Sequence, residues 1–149
     1  QALCLGYIEQ GGIRYAATDA SGRSHTVGFS FEGDFAADYS AFLRRAPALI
    51  DMIALENTRM RVITYSQYYD FIGRNQETCR LGRQVAEQLF ITVYDRLLKF
   101  YLMSPQQRYE DLMARYPYLS ERLTSREIAS FVGITPEALC RIRRRMLEK

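Results

Sequence analysis

Several chemistries are missing from this chain. No run approaches the ~20 apolar residues that a bilayer-spanning helix needs, so no membrane span is expected. There is a single histidine, His25. With no second nitrogen ligand a zinc site is not expected, and His25 reads as a strand surface residue. Cys4, Cys79 and Cys140 are odd in number and far apart. They read as reduced thiols, not as a disulfide framework or a metal cluster. Nucleophile–base pairs, phosphate-cradling glycine loops and HExxH-like ligand pairs are all lacking, so an enzyme is not expected. The first residues show no charged start, apolar run and small-residue cleavage site. Together with the free thiols, this gives the expectation of a cytoplasmic protein.

What is present is concentrated at the C-terminal end, where Ser125–Met146 reads SREIASFVGITPEALCRIRRRM. Ile128 and Val132 are four apart and share one helix face. Leu139 and Ile142 share a face of a second helix, and Ile134 sits in the turn between them. Ala129 is small enough for close approach of the second helix. Gly133 can take the positive φ that ends a helix. Thr124 with Glu127 forms a capping box. Thr135 then Pro136 supplies an N-cap and an N1 proline. Two short helices in a tight turn, the second cationic, form the signature of a helix-turn-helix that reads DNA. The alternative is an ordinary helical hairpin in a core.

The polar residues left on the second helix fit that chemistry. Glu137 and Arg141 are four apart and face the same way. A glutamate can accept from cytosine N4, and an arginine can grip guanine O6 and N7. The competing reading is a plain surface salt bridge, worth little. Arg143, Arg144 and Arg145 are placed better for phosphates than for base edges. Ser125, Thr135 and Pro136 complete the candidate DNA-facing set. Charge follows the same division: residues 1–72 carry −2, residues 73–121 carry +1 and residues 122–149 carry +4. The positive charge thus lies where phosphate contact needs it.

The first half is built differently. Strand-like runs recur at Leu5–Gln10, Ile13–Asp19, Ser24–Phe31, Leu49–Leu55 and Arg59–Tyr65. Gly11-Gly12 and Ala20-Ser21-Gly22-Arg23 supply turns between the earlier ones. Short strands at this spacing predict an antiparallel sandwich or roll. Gly33-Asp34 then runs into a short apolar turn around Phe35, Tyr39 and Phe42. From Asn75 to about Met103 the only helix breaker is Gly82. One stripe there runs Leu81, Val85, Leu89, Thr92, Arg96, Lys99; the next runs Ala86, Phe90, Val93, Leu97, Tyr101. Apolar cover this wide predicts one face on the chain's own β domain and another on a partner copy. Full burial within one chain is the alternative. Val85, Leu89, Thr92, Val93 and Arg96 are the expected dimer contacts. Ser104-Pro105-Gln106-Gln107 starts a further helix, which stops near Tyr116-Pro117.

This order resembles the Crp–Fnr family of bacterial transcription regulators. LTSREIASFVGITPEALCRIRRRM is similar to that family's DNA-reading helices. AEQLFITVYDRLLKFYLMSPQQRYEDLMARYPYL resembles its dimer helix and the helix after it, and GYIEQGGIRYAATDASGRSHTVGFSFEGDF its cyclic-nucleotide-binding-type β roll. The resemblance implies an α+β protein. Residues 1–73 would form a jelly-roll-like sensor domain, residues 74–103 a dimerisation helix, and residues 104–149 a helix-turn-helix domain of winged-helix type. It further implies a homodimer on near-palindromic double-stranded DNA, with RNA polymerase and a small-molecule effector as other partners.

Carried over residue by residue, Glu137 and Arg141 match the family's base-reading glutamate and arginine. The arginine that often precedes that glutamate is replaced by Pro136, so that contact should be absent. The family's phosphate cassette opens with Gly-Glu and closes with Arg-Ser or Arg-Thr. Here Gly33-Asp34 followed by Phe35 matches the opening loosely, and Arg44-Arg45-Ala46 matches the close poorly. No cofactor is expected and cyclic nucleotide binding is not favoured; the space behind Phe35, Tyr39 and Phe42 reads as filled by side chains. An iron–sulfur cluster would need several N-terminal cysteines, and only Cys4 is near. No β-hairpin wing of the usual kind is expected after the recognition helix within these 149 residues. Family rolls have strands before Leu5, so further N-terminal sequence is expected. A competing function is a roll-type ligand sensor whose helix-turn-helix docks protein.

Overall fold

The computed structural model describes residues 4–148, in which six strands and seven helices follow one another. The five expected strands and the expected helices keep their expected order, with a short strand at Phe35–Ala36 and helices at Tyr39–Arg44, Tyr65–Ile72 and Leu119–Arg122 added to them. Strands β1 (Cys4–Gln10), β2 (Ile13–Thr18), β3 (Ser24–Ser30), β4 (Phe35–Ala36), β5 (Asp51–Ala54) and β6 (Arg59–Thr64) make two three-stranded antiparallel sheets. One sheet has the order β4-β1-β6 and the other β3-β2-β5. Alternation along β2 sends Ile13 and Tyr15 inward, as a half-buried strand requires; on β1, Leu5 and Ile8 lie on opposite faces and are buried in separate clusters.

Helix α1 (Tyr39–Arg44) occupies what the sequence suggested as an apolar turn. Its Phe42 is buried between Tyr39, Tyr65 and Tyr68. Helix α2 (Tyr65–Ile72) begins where the last strand ends. The strand expected over Arg59–Tyr65 ends at Thr64, and α2, not expected from the sequence, follows it directly. The signal was present: Thr64 and Gln67 form a reciprocal capping box, with Gln67 Oε1 accepting from Thr64 N at 2.9 Å, the start pattern of a helix.

Helix α3 (Gln76–Leu102) spans 27 residues, about 40 Å at 1.5 Å per residue. None of its side chains is buried. Helices α4 (Pro105–Arg115), α5 (Leu119–Arg122), α6 (Ser125–Val132) and α7 (Pro136–Leu147) complete the chain. Among the described residues no helix is long and apolar enough to cross a membrane, and no strand follows α7.

The helical end and the roll share a core. Phe31 from the roll packs with Leu112, Leu119, Ile128, Val132, Leu139 and Ile142. Phe29 on β3 lies 4.7 Å, centroid to centroid, from Phe131 on α6. Polar links reinforce this seam. Ser130 Oγ accepts from Thr26 N at 2.8 Å, and Arg14 Nε lies 3.3 Å from Glu127 Oε1. Arg122 on α5 donates to Glu32 Oε2 at 2.8 Å and to Glu56 Oε1 at 2.9 Å, gripping two loops of the roll.

The Arg122 guanidinium holds the Glu32 carboxyl at about 2, below its ordinary 4.5. A carboxyl depressed by folding contributes stability that is complete above its unfolded value and is lost as pH falls through its folded one. Acid unfolding between pH about 4.5 and about 2 is therefore expected to be shallower in Glu32→Gln than in the unaltered chain. Circular dichroism along a pH titration checks this; identical curves would remove Glu32 from the seam.

Candidate nucleic-acid interface

The hairpin of α6 and α7 is assembled by the residues that the spacing singled out. Thr124 Oγ1 accepts from Glu127 N at 3.2 Å, and Glu127 Oε2 accepts from Thr124 N at 2.8 Å. Gly133 closes α6 in the left-handed region at φ 80°. Thr135 caps α7, its Oγ1 accepting from Ala138 N at 3.2 Å, and Pro136 follows at N1. Ile128, Ala129, Val132, Leu139 and Ile142 are buried, and half-buried Ile134 packs against them.

Gly133 is required twice over. A side chain there would adopt a positive φ, and its Cβ would fall 2.8 Å from Phe100 Cε1 on α3. Left-handed backbone alone costs an L-residue roughly 1–2 kcal/mol. Gly133→Ala is expected to lower unfolding free energy by at least about that much, as read by urea titration; an unchanged midpoint would contradict the tight turn.

Burying one face of α7 leaves the other outward. Thr135, Pro136, Glu137 and Arg141 are exposed, as are Arg144 and Arg145. Among the described residues Glu137 and Arg141 make no ion pair with each other. Glu137's own backbone N–H and the Thr135 hydroxyl hold its carboxyl below the ordinary range, so it stands ionised as an acceptor. Arg144 pairs with Glu148 at 3.2 Å across exposed surface, a contact too weak to withhold it from a phosphate.

Arg143 is committed within the chain rather than free for a phosphate. Its Nε donates to Tyr109 Oη at 3.0 Å and its Nη1 to Ser125 Oγ at 2.7 Å. The guanidinium is half-buried and ties α7 to α4 and to the start of α6. It braces the hairpin, and it occupies the Ser125 hydroxyl that sequence reading had assigned to DNA.

The dimer-contact residues also divide differently. Arg96 lies with its guanidinium 4.0 Å over the Phe131 ring of its own α6. Thr92 Oγ1 donates to Gln88 O, within α3, and with Arg96 faces a cleft of the same chain. Val85 and Leu89 are half-buried. Of the five, only Val93 lies among the well-exposed apolar residues. That row runs Phe90, Val93, Tyr94, Leu97 and Tyr101, from 48% to 80% exposed. Thr92 and Arg96 thus turn towards their own chain, because an Arg set over an aromatic ring behaves as packing, not as a surface charge.

The proposed effector residues do not converge. Gly33 sits in a tight turn at φ 89° and donates to Ile8 O at 3.0 Å. Asp34 Oδ2 accepts from Phe31 N at 2.8 Å inside that turn. Phe35 is exposed and edge-on to Tyr7. Arg44 ends α1, and Arg45, at φ 51°, lies over the Tyr65 ring. His25 Nε2 donates to Asp19 Oδ2 at 2.6 Å on the hairpin edge. Among the described residues no group of three or more His, Cys, Asp or Glu could hold a metal ion.

One organising residue escaped sequence reading. Arg108 on α4 donates to Val132 O at 2.9 Å, Met103 O at 2.8 Å and Phe100 O at 3.2 Å. It thereby satisfies carbonyls at the C-terminal ends of both α3 and α6. Nothing in its sequence context distinguishes it from the other arginines.

No family model and no curated protein matches the sequence. Solved structures do. FixK2 from Bradyrhizobium japonicum superposes with a TM-score of 0.82 at 15% identity, over 99% of this chain and 76% of that one. The c-di-GMP-responsive global regulator CLP from Xanthomonas campestris gives 0.72 at 15% identity, over 99% and 78%. A Crp/Fnr-family transcriptional regulator from Thermus thermophilus gives 0.70 at 16% identity, over 97% and 75%. The two antiparallel sheets, the long helix and the capped helix-turn-helix therefore make up the Crp/Fnr regulator fold.

Proposed function

We propose that this chain is a sequence-specific DNA-binding transcription regulator of Crp–Fnr type, acting as a homodimer. The observation that carries the reading is the α7 surface: a capped, rigidly backed helix whose outward side holds Glu137, Arg141, Arg144 and Arg145. Glu137 and Arg141, near its N-terminal end, meet base edges, while Arg144 and Arg145 meet phosphates. Two copies joined along α3 set their recognition helices in successive major grooves about 34 Å apart. A signal at the roll reaches α7 through the Phe29–Phe131 and Arg122 seam, which gives the two ends a shared element to shift.

Binding to random duplex DNA at rising salt tests this reading. A DNA reader loses affinity steeply, with log K falling by about 0.9 per phosphate neutralised per log unit of salt. A helix-turn-helix that docks protein would show little binding and little slope.

The effector pocket of the roll is degenerate in this reading. Asp34 is committed to its own turn, Arg45 lies on Tyr65, and the interior near Phe42 is filled by tyrosines. Phosphate capture needs a fixed guanidinium together with backbone donors. Cyclic AMP is expected not to bind in the micromolar range by calorimetric titration; micromolar or tighter binding would contradict the degenerate pocket.

A further inference from the structure

A cleft of about 160 Å³ opens where β3, α3, α4 and α6 meet, away from the interior of the roll. Phe29, Phe100, Leu112, Tyr116 and Phe131 make its lining largely apolar, and Arg96 enters from α3. The other cations there are occupied or outlying. Lys99 pairs with Asp111 Oδ2 at 2.6 Å, Arg108 donates to helix-end carbonyls, and Arg115 is exposed. Arg96 is different. Its guanidinium stacks on Phe131 at 4.0 Å, and burial alone lowers it to about 10, with no carboxylate offsetting the loss of water. It stays charged at neutral pH. A half-buried charge with no salt-bridge partner among the described residues is costly to keep; of the carboxylates at the cleft, Asp111 is held by Lys99 and Asp95 is exposed, so Arg96 has room for one negative charge.

We propose that this cleft binds a small monocarboxylate with a ring-sized apolar body, its carboxylate on Arg96 and its body between Phe29, Phe100 and Phe131. The planar guanidinium fork matches a carboxylate in two parallel hydrogen bonds. The volume suits one six-membered ring, since an apolar protein cavity of about 150 Å³ accepts benzene. A single half-buried cation, with Arg108 held by helix-end carbonyls and Arg115 exposed, favours a single negative charge over a phosphate dianion. The cleft borders both β3 and α6, so an occupant touches the roll and the DNA-reading hairpin together.

The test uses the full chain without DNA, so its outcome is independent of the DNA-binding reading. Benzoate, benzyl alcohol and inorganic phosphate are titrated by calorimetry and by thermal shift. Benzoate is expected to saturate one site per chain and to raise Tm. Benzyl alcohol should bind at least about tenfold more weakly, for want of the charge-assisted pair. Arg96→Gln should bring benzoate down to the level of benzyl alcohol and leave benzyl alcohol unchanged. Should that variant not fold, the benzoate-to-benzyl-alcohol ratio on the unaltered chain decides. No saturable benzoate binding at low millimolar concentration would overturn the proposal. So would equal affinity for the alcohol, phosphate binding as tight as benzoate, or undiminished benzoate binding by Arg96→Gln.

Discussion

Arg141→Ala is expected to cost about 1–3 kcal/mol of discrimination between the preferred site and its single-base variants. The reason is geometric. Arg141 is exposed on α7, one turn beyond Glu137, while Leu139 and Ile142 on either side of it are buried. Its fork is therefore free to meet N7 and O6 of a guanine, contacts that other bases do not offer together. Arg144 lies further along the helix, towards its C-terminal end. Arg144→Ala should weaken all duplexes alike and reduce the salt slope by about 1. Competition binding with a set of point-substituted duplexes reads both effects. Two variants with the same profile would contradict the division between base and phosphate contacts. Neither change should move thermal stability much, since both side chains are exposed.

Leu97→Glu is expected to convert a dimer to a monomer. Leu97 is 51% exposed in the single chain, between Val93 and Tyr101 on the open row of α3. Fully burying a large apolar side chain is worth roughly 1.5–3 kcal/mol, and about half of Leu97 remains to be covered. A glutamate at this position loses that term and brings two desolvated carboxylates together across a two-fold interface. Sedimentation should show the monomer. Affinity for DNA carrying both half-sites should fall by about 10²–10⁴, because the second recognition helix no longer arrives at high effective concentration. Circular dichroism should stay unchanged, since the residue supports no core of its own chain. A dimer that persists in Leu97→Glu would move the interface off this row.

The helix-turn-helix was the most legible part of the sequence. Its caps, its glycine and its buried quintet are local, and each is dictated by spacing of three or four residues. The long helix and the strands of the roll were legible for the same reason, from periodicity and turn residues. What escaped depends on tertiary contact. Whether Arg96 or Val93 faces outward depends on where Phe131 lies, and Phe131 is brought there by Phe29 on a distant strand. Arg143 looks like one of three equivalent arginines until Tyr109 and Ser125 are placed beside it. Arg108 reaches Val132, 24 residues away, and Arg122 reaches Glu32, 90 residues away, which no local pattern encodes.

Selection of bound fragments from random duplex DNA bears most directly on the central claim, that two α7 helices read DNA as a pair. The expected product is a near-palindrome whose half-sites are centred about 34 Å apart, with a guanine that Arg141→Ala no longer enforces. Recovery of fragments without a common motif, or no recovery at low salt, would contradict it.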